Sequence, residues 1–269
     1  MDEKELIKKG RDFLHYYVEG EEIVTDQKLK RQQPPLVKAA MRNERIVLPK
    51  NFEDLIINND FMDVINRRKS HRVYTEQKLS LLQLSYLLWA TQGVKEIRGK
   101  SYATLRTVPS GGARHGFETY LIIRFVEGLE SGKYHYLPME HALEYLGKVD
   151  SIEKTIGDTL CGQLWASNAS VVFYWSFVPY RCEWRYGTGA HRPAMIDAGH
   201  IGENLYLACT ALGLGTCAIA AYDNRICDPL FELDGQEEFI VYTCPVGTIS
   251  EKNKEAENAF YAFVKEEGL

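Results

Sequence analysis

The sequence lacks the motifs on which most metal-dependent and hydrolytic sites depend. Its six cysteines include no Cys-x-x-Cys pair, and there is no His-Glu-x-x-His, no Walker loop and no Gly-x-Ser-x-Gly elbow. We therefore expect no zinc and no other metal, because metal sites of the common kinds use ligands at short, defined spacings. Several cysteines lie in apolar surroundings, where a reduced thiol acts as a small hydrophobe, so we expect no disulfide framework either. Zinc hydrolysis, nucleotide hydrolysis and the common serine hydrolase reaction lose their support on the same ground.

Long hydrophobic runs are also missing. The strongest run, residues 171–178, is far shorter than the roughly 18 residues of a membrane span. The start Met1-Asp-Glu-Lys-Glu contains none of the apolar stretch of a signal peptide. We expect a cytoplasmic protein that makes no membrane contact.

A net positive charge is also absent, because 37 Asp and Glu residues outnumber 32 Lys and Arg residues. The formal net charge is −5 and the pI is about 5.9, so nucleic acid is not an expected partner. What the chain has in plenty is apolar material. Hydrophobic residues make up 45% of the 269 residues and aromatic residues 12%, which is ample for a packed core.

The order of apolar patterns predicts an α+β fold. Three runs rich in β-branched and aromatic residues, at 120–127, 171–178 and 238–243, predict strands of one central sheet. Helical patterns are predicted at 61–65, 80–90, 140–146, 152–160 and 193–212. Because strands and helices alternate without a regular βαβ rhythm, we predict a mixed central sheet flanked by helices. Residues 1–55, charged and broken by prolines, are interpreted as an N-terminal arm packed on a body formed by residues 56–269.

One short segment opposes the acidic character of the chain. Residues 67–74 read Arg-Arg-Lys-Ser-His-Arg-Val-Tyr, and we call residues 67–72 the cationic segment. In extended backbone, Arg68, Ser70 and Arg72 alternate onto one side, where two guanidinium groups and a hydroxyl are suited to grip a phosphate. The alternative is that cations following the predicted helix at 61–65 only favour its dipole. Both interpretations stay open at this level.

Two glycine-containing segments are further candidates. Residues 108–116 read Val-Pro-Ser-Gly-Gly-Ala-Arg-His-Gly; paired glycines let a flat ring lie against the backbone, and a tight turn uses the same residues. Residues 213–218, Gly-Leu-Gly-Thr-Cys-Ala, match a dinucleotide fingerprint in letters only, because a predicted helix precedes them and an extended run follows. Backbone amides of 216–221 are either hydrogen-bond donors to a ring or simply well packed.

Weaker signals come from histidine and cysteine. His200 and Glu203, like His141 and Glu144, stand three apart on predicted helices and so share a face. Two isolated pairs of this kind are more typical of surface or capping roles than of a metal site. Cys217 has no designated base nearby in sequence and is interpreted as a buried structural thiol.

Taken in order, five motifs resemble the nitroreductase family, most closely its SagB-type dehydrogenase branch. The motifs read Arg68-Lys-Ser-His-Arg72, Pro109-Ser-Gly-Gly-Ala-Arg114, Trp184-Arg-Tyr-Gly187, Asp197-Ala-Gly-His-Ile-Gly-Glu-Asn-Leu205 and Gly213-Leu-Gly-Thr-Cys217. The resemblance as a whole runs from about residue 34 to residue 247. The resemblance implies an α+β flavoprotein, normally a homodimer, that holds FMN near the subunit interface. Residues 56–269 would then be the FMN-binding domain.

Carried over by residue, the resemblance assigns contacts with FMN. The cationic segment would meet the phosphate, ribityl chain and pyrimidine edge through Arg68, Lys69, Ser70 and Arg72. The ring would lie on Pro109, Ser110, Gly111 and Gly112, with Arg114 as a further cofactor contact, and the backbone of Ala220 and Ala221 would approach the flavin N5. Such contacts are chemically coherent, since a cation near the pyrimidine edge stabilises the charge that hydride leaves there.

The same resemblance points to Arg185 and Tyr186 as catalytic residues, with one departure. SagB-type azoline oxidases usually carry Lys-Tyr at this position, whereas this chain carries Arg185-Tyr186. A desolvated lysine can act as a base, but a guanidinium keeps its proton. Azoline oxidation by proton abstraction therefore loses its usual base.

The sequence therefore predicts an FMN-dependent oxidoreductase that works by a ping-pong mechanism. The substrates are either NAD(P)H with a quinone or nitro acceptor, or an azoline-containing modified peptide made with a cyclodehydratase partner. Two alternatives remain: a flavin-binding carrier or sensor without efficient turnover, and a binder of phosphate ligands without flavin.

Overall fold

The computed structural model describes residues 2–14, 23–262 and 266–268. Its helices are α1 Glu3–Leu14, α2 Phe61–Arg67, α3 Leu81–Gln92, α4 Ile152–Thr159, α5 Pro179–Tyr186, α6 His191–Ala211, α7 Asn224–Leu230 and α8 Lys254–Ala259. Its strands are β1 Ile46–Val47, β2 Val94–Arg98, β3 Ala103–Arg106, β4 Phe117–Ile123, β5 Gly132–Leu137, β6 Ala142–Gly147, β7 Val171–Phe177, β8 Leu214–Thr216 and β9 Phe239–Thr248. In this part of the chain, no helix combines the length and apolarity needed to cross a bilayer.

Seven strands form one central sheet in the order β1-β6-β5-β4-β7-β9-β8, and β2 and β3 form a separate hairpin. Every residue of β4 and β7 is buried because both faces of the sheet are covered. One face packs on α3 and α6 through residues such as Leu84, Leu205 and Trp175. The other face packs near α4 and α7 through residues such as Tyr174 and Ile156. Strands buried on both sides read as continuous apolar runs, as the sequence does here.

The helix that supports the middle of the sheet has strong local signals. Ser80 caps α3 by accepting a hydrogen bond from the Gln83 N–H, and the Gln83 side chain accepts from the Ser80 N–H. This reciprocal pair is a capping box. The long helix α6 ends just before Gly213, whose φ of +69° suits the left-handed position after a helix.

The predicted α+β fold with helices around a central sheet is confirmed, but two details were wrong. The sheet is antiparallel at every strand pairing among the described residues rather than mixed, because β4, β5 and β6 follow one another through short turns. The predicted helix at 140–146 is strand β6. His141 adopts a φ of +50°, and Glu144 lies opposite His135 of β5 with its carboxylate 2.6 Å from His135 Nδ1.

The N-terminal region reaches the sheet at its edge. Strand β1 pairs with β6, and the buried Glu144 carboxylate accepts hydrogen bonds from the N–H groups of Met41 and Arg42 at 3.0 and 2.6 Å. The division of the chain at residue 55 into an arm and a domain stays a prediction.

Candidate functional site

The cationic segment leaves α2 in extended form and runs beside β8. Asp60 caps α2 by accepting from the Met62 and Asp63 N–H groups, and beyond Arg67 the chain straightens. The His71 N–H donates to the Thr216 carbonyl at 2.9 Å. A Cβ at Gly215 would lie 2.8 Å from His71 Cβ, so glycine at this position permits the close approach.

The side chains of the cationic segment alternate between two sides, as the extended backbone requires. On one side Arg68 and Ser70 meet Tyr206 of α6: the Arg68 guanidinium lies 5.3 Å from the ring centroid, and Ser70 Oγ lies 2.9 Å from the Tyr206 hydroxyl. Arg72 follows on the same side. We call Arg68, Ser70 and Arg72 the cationic face. On the other side a cavity of about 320 Å³ is lined by Arg67, Lys69 and His71 together with residues near α8.

Arg72 is held in place by its backbone and by its guanidinium. The Glu257 carboxylate accepts from the N–H groups of Arg72 and Val73 at 2.9 and 2.8 Å. The guanidinium donates to the Tyr261 hydroxyl at 2.6 Å and lies 5.8 Å from the Trp165 ring centroid. Partial burial acts to lower the pKa of Arg72, but nearby Cys217 and Tyr261 outweigh it and raise the pKa. Arg72 is therefore a positioned, permanent cation.

Tyr206 connects the cationic face to the segment after β8. Its hydroxyl accepts a hydrogen bond from the Ala218 N–H at 2.8 Å. Burial raises the pKa of the neighbouring Cys217 thiol, although Arg72 opposes the shift, which fits the expected inert thiol. Ala220 and Ala221 follow and are exposed. Two exposed residues thus follow the segment that Tyr206 links to the cationic face.

The Pro-Ser-Gly-Gly loop is held by the beginning of α6. Ser110 Oγ donates to Asp197 Oδ2 at 2.6 Å, and the Gly111 N–H donates to the same carboxylate at 3.1 Å. Burial raises the pKa of Asp197, while the hydrogen bonds from Ser110 and Gly111 oppose the shift. Pro109 is exposed at the start of the loop. The loop is thus fixed by α6, and of its residues 109–112 only Pro109 is exposed.

Arg185 and Tyr186, the predicted catalytic pair, pack directly on this loop. Gly112 has a φ of +59°, and a Cβ there would lie 2.7 Å from Arg185 Nε and would overlap the Tyr186 hydroxyl. Arg114 is only 4% exposed. Its guanidinium donates to the Gly112 carbonyl at 3.1 Å and to the Tyr102 carbonyl at 2.9 Å. Arg114 therefore braces the loop from inside.

The sequence-predicted residues fall into two groups on opposite sides of α6. Asp197, which holds the loop, and Tyr206, which meets the cationic face, are nine positions apart. At 3.6 residues per turn and 1.5 Å per residue, they point about 180° apart and lie about 13 Å apart along the axis. One chain therefore does not bring the cationic face and the Pro109–Gly112 loop onto the same side.

Several residues of both groups escaped the sequence-based reasoning. Tyr206 and Asp197 lie on α6 and gave only a helical pattern, although Asp197 opens one of the five family motifs. Tyr102 contacts Arg185, 83 positions away, and Tyr261 contacts Arg72 from the far end of the chain. Such contacts carry no local signal. Within the described ranges, no group of three or more His, Cys, Asp or Glu side chains is placed to hold a metal.

Comparison with known proteins identifies the family of the chain. The profile described as "Nitroreductase family" matches residues 65–248, from the last turn of α2 through β9, and this range includes both groups of candidate residues. The chain belongs to the nitroreductase family and is an oxidoreductase enzyme. The resemblance drawn from the five motifs is confirmed at this level.

Three individual proteins are similar to the chain in sequence. It is 34% identical over 190 residues to the nitroreductase-type protein MJ1384 of Methanocaldococcus jannaschii, a match that covers 69% of this chain and 89% of that protein. It is 36% identical over 148 residues to the trifolitoxin-processing protein TfxF of Rhizobium leguminosarum bv. trifolii, covering 53% of this chain and 44% of TfxF. The trifolitoxin-processing protein TfxB of the same organism is 29% identical over 135 residues, covering 48% of this chain and 36% of TfxB.

Solved structures share the fold. A nitroreductase-type protein from Ralstonia eutropha superposes with a TM-score of 0.63 at 23% identity, covering 86% of this chain and 97% of the other. A chain of the Escherichia coli microcin synthetase McbBCD complex, solved with truncated pro-MccB17 bound, gives a TM-score of 0.56 at 19% identity over 93% of this chain and 95% of that chain.

Proposed function

We propose that this protein is an FMN-dependent oxidoreductase whose cationic face binds the cofactor phosphate. The observation that carries the proposal is the alignment of Arg68, Ser70 and Arg72 on one side of an extended segment, beside accessible backbone at Ala220 and Ala221. Two guanidinium groups and a hydroxyl suit a phosphate monoester, and Arg keeps its charge at any relevant pH.

The residues present fit the cofactor in their chemistry. Arg72 is already held by Tyr261 and an aromatic neighbour, so little side-chain freedom is lost on binding. The exposed backbone at Ala220 and Ala221 is suited to contact a flat ring. Lys69 lines the cavity on the opposite side of the segment, and its contact with FMN stays a prediction of the resemblance.

A homodimer is part of the proposal because one chain keeps its two groups apart. The cationic face and the Pro109–Gly112 loop lie on opposite sides of α6, so a second copy is needed to bring a loop to the cationic face. Met195 and Ile196 of α6 are 43% and 56% exposed, which supports the idea that this helix packs on a partner. In such a dimer Arg185 and Tyr186, which pack on the loop, would belong to the same site as the cationic face.

The reaction follows from the chemistry of the cofactor. FMN, when bound, supplies a group that accepts and returns a hydride at N5. The chain's own part is to anchor the phosphate at the cationic face, to support the ring on backbone, and to hold Arg185 and Tyr186 over the loop. We propose NAD(P)H as electron donor and a quinone or nitro compound as acceptor, in two successive half-reactions in a cytoplasmic setting.

Oxidation of an azoline-containing modified peptide, with a cyclodehydratase partner, is the second candidate. It is favoured by the matches to TfxB and TfxF, which are named for trifolitoxin processing and fit the SagB-type branch. Arg185 weighs against it, because a guanidinium cannot take the proton that azoline oxidation releases. Replacement of Arg185 by Lys, assayed on an azoline peptide, separates the two: a gain of activity favours the peptide route.

The experiment that tests the proposal is an anaerobic cycle on the FMN-loaded protein. NADH or NADPH is added first, and a quinone afterwards, while the flavin absorbance is followed. We expect the flavin absorbance to bleach when NADH or NADPH is added and to recover when the quinone is added. A bound flavin that neither reagent changes would make the protein a carrier or sensor, and a protein that stays colourless with added FMN would contradict flavin binding altogether.

A further inference from the structure

Tyr102 occupies an unusual position for an exposed tyrosine. It lies in the turn between β2 and β3 and is 38% exposed, yet its hydroxyl accepts two hydrogen bonds. Arg185 Nη1 donates at 2.6 Å and Gln27 Nε2 at 3.1 Å. A second guanidinium, that of Arg114, lies 4.9 Å from the centroid of its ring. Two cations and an amide thus converge on one phenol that solvent can reach.

The position of Tyr102 is fixed through its backbone. The Tyr102 carbonyl accepts hydrogen bonds from the buried Arg114 at 2.9 Å and from Gln33 Nε2 at 3.0 Å. Its N–H donates to the Arg98 carbonyl at 3.0 Å. The hydroxyl is therefore a held group, which is what proton transfer in a defined geometry requires.

The same contacts place the hydroxyl beside the Gly-Gly loop. Arg185 bridges the two: its Nη1 donates to Tyr102, and its Nε lies 2.7 Å from the point where a Gly112 Cβ would be. Arg114 joins them a second time, since it donates to the carbonyls of both Gly112 and Tyr102. The cluster of Tyr102, Arg114 and Arg185 therefore flanks the surface on which the proposed function rests the ring.

We propose that Tyr102 is a general acid that protonates an electron acceptor bound at this loop, an inference that rests on the proposed function. FMN, if bound and reduced, would supply a hydride to the acceptor. The chain's own part is at Tyr102, whose O–H bond would break as a new O–H bond forms on the acceptor oxygen. The phenolate left behind is held by Arg185 and regains its proton from water. Two electrons and two protons thus reach the acceptor, with no further reagent.

The electrostatics of the cluster agree with this role. Slight burial acts to raise the pKa of Tyr102, but the hydrogen bond from Gln27 and the charges of Arg185 and Arg114 outweigh it and lower the pKa. Tyr180 offers a natural contrast. It is equally exposed at 38%, but it donates to Asp26 at 2.8 Å, and that hydrogen bond raises its pKa.

The proton state selects a class of substrate. A neutral tyrosine hydroxyl is a proton donor, and Tyr102 acts in this form. Acceptors whose reduction creates an oxyanion, such as quinones and nitro compounds, need such a donor. An azoline ring needs a base to remove a proton, and neither Arg185 nor a protonated phenol supplies one.

The first test uses the cofactor-free protein. The tyrosinate absorbance is titrated with pH in the parent, in Tyr102→Phe and in the matched control Tyr180→Phe. We expect Tyr102→Phe to remove the part of the absorbance change that occurs below the ordinary tyrosine pKa. Tyr180→Phe should remove a part that occurs above it. Arg185→Gln is expected to move the Tyr102 component to higher pH. A Tyr102 component at or above the ordinary value would overturn the proposal.

The second test separates the half-reactions of the FMN-loaded protein. Tyr102→Phe is expected to leave the FMN dissociation constant and the reduction by NAD(P)H unchanged and to slow reoxidation by a quinone about a hundred-fold, with loss of the solvent isotope effect. If Tyr102→Phe is reoxidised as fast as the parent, the inference is overturned and the proposed function stays intact. The same holds if Tyr186→Phe slows reoxidation and Tyr102→Phe does not. Failure of the parent to bind FMN would refute the proposed function instead.

Discussion

The role of the cationic face can be tested at Arg72. Replacement by alanine removes a guanidinium that the structure already positions, with one hydrogen bond to the Tyr261 hydroxyl and the rings of Trp165 and Tyr261 within 6 Å. Because the side chain is held before any ligand arrives, nearly the whole charge-assisted interaction with a phosphate counts toward binding.

A hydrogen bond to a charged group contributes about 1.5–3 kcal/mol. Since every 1.4 kcal/mol is a factor of ten, Arg72→Ala should raise the FMN dissociation constant about ten-fold to about a hundred-fold. High salt should reduce the difference in FMN affinity between the parent and Arg72→Ala, because salt screens charges. The reduction should be partial, since the guanidinium is half-buried and is screened less than a surface charge.

The assay is calorimetric titration of FMN into the cofactor-free protein. Arg67→Ala is the matched control, because Arg67 belongs to the same segment and carries the same charge but lines the cavity on the opposite side. We expect the FMN affinity to fall in Arg72→Ala and to change little in Arg67→Ala. Equal losses in both variants would reduce the effect to net charge, and equal affinity in Arg72→Ala and the parent would remove Arg72 from the site.

Three further predictions concern stability, measured by urea unfolding. Gly112→Ala should lower the free energy of unfolding by about 2–4 kcal/mol, because the residue has left-handed backbone and a Cβ there would overlap the Tyr186 hydroxyl. Gly128→Ala is the control: its φ is +76° but the space around it is open, so it should lower the free energy of unfolding by only about 1–2 kcal/mol. Glu118→Gln should cost about 3–5 kcal/mol, since it leaves the buried Arg181 guanidinium without its carboxylate. Burial, with a contribution from a nearby arginine, lowers the pKa of His115 to about 3; the unfolded chain therefore takes up the proton first, and the free energy of unfolding should fall as the pH drops from about 6.5 towards 3. A flat profile across that range would contradict the buried, neutral histidine.

The sequence predicted those parts of the fold that have local causes. Ser80 and the apolar run after it indicated α3, and the β-branched and aromatic run at 171–178 indicated β7. The prediction at 140–146 was wrong because its residues are good helix formers in isolation, while pairing with β5 and the His135–Glu144 contact exist only in the folded chain. Tertiary context overrides a modest local propensity in such cases.

The candidate site was predictable to the same degree. Alternation along an extended segment predicted Arg68, Ser70 and Arg72 on one side, and in the structure the intervening Lys69 and His71 line a cavity on the other side. The role of the three residues as a phosphate site stays a prediction. The separation of this face from the Pro109–Gly112 loop was not foreseen, because it depends on the turn count between Asp197 and Tyr206. The role of Tyr102 was not predicted, because its contact with Arg185 of α5 joins residues 83 positions apart in the sequence.

The most direct test of the account compares the binding of FMN and riboflavin to the purified, cofactor-free protein. The two ligands share the ring and the ribityl chain and differ in the phosphate alone. If the cationic face grips the phosphate, FMN should bind at least about ten-fold more tightly than riboflavin, and Arg72→Ala should narrow the difference. Equal affinity for both ligands, or no binding of either, would contradict the central claim.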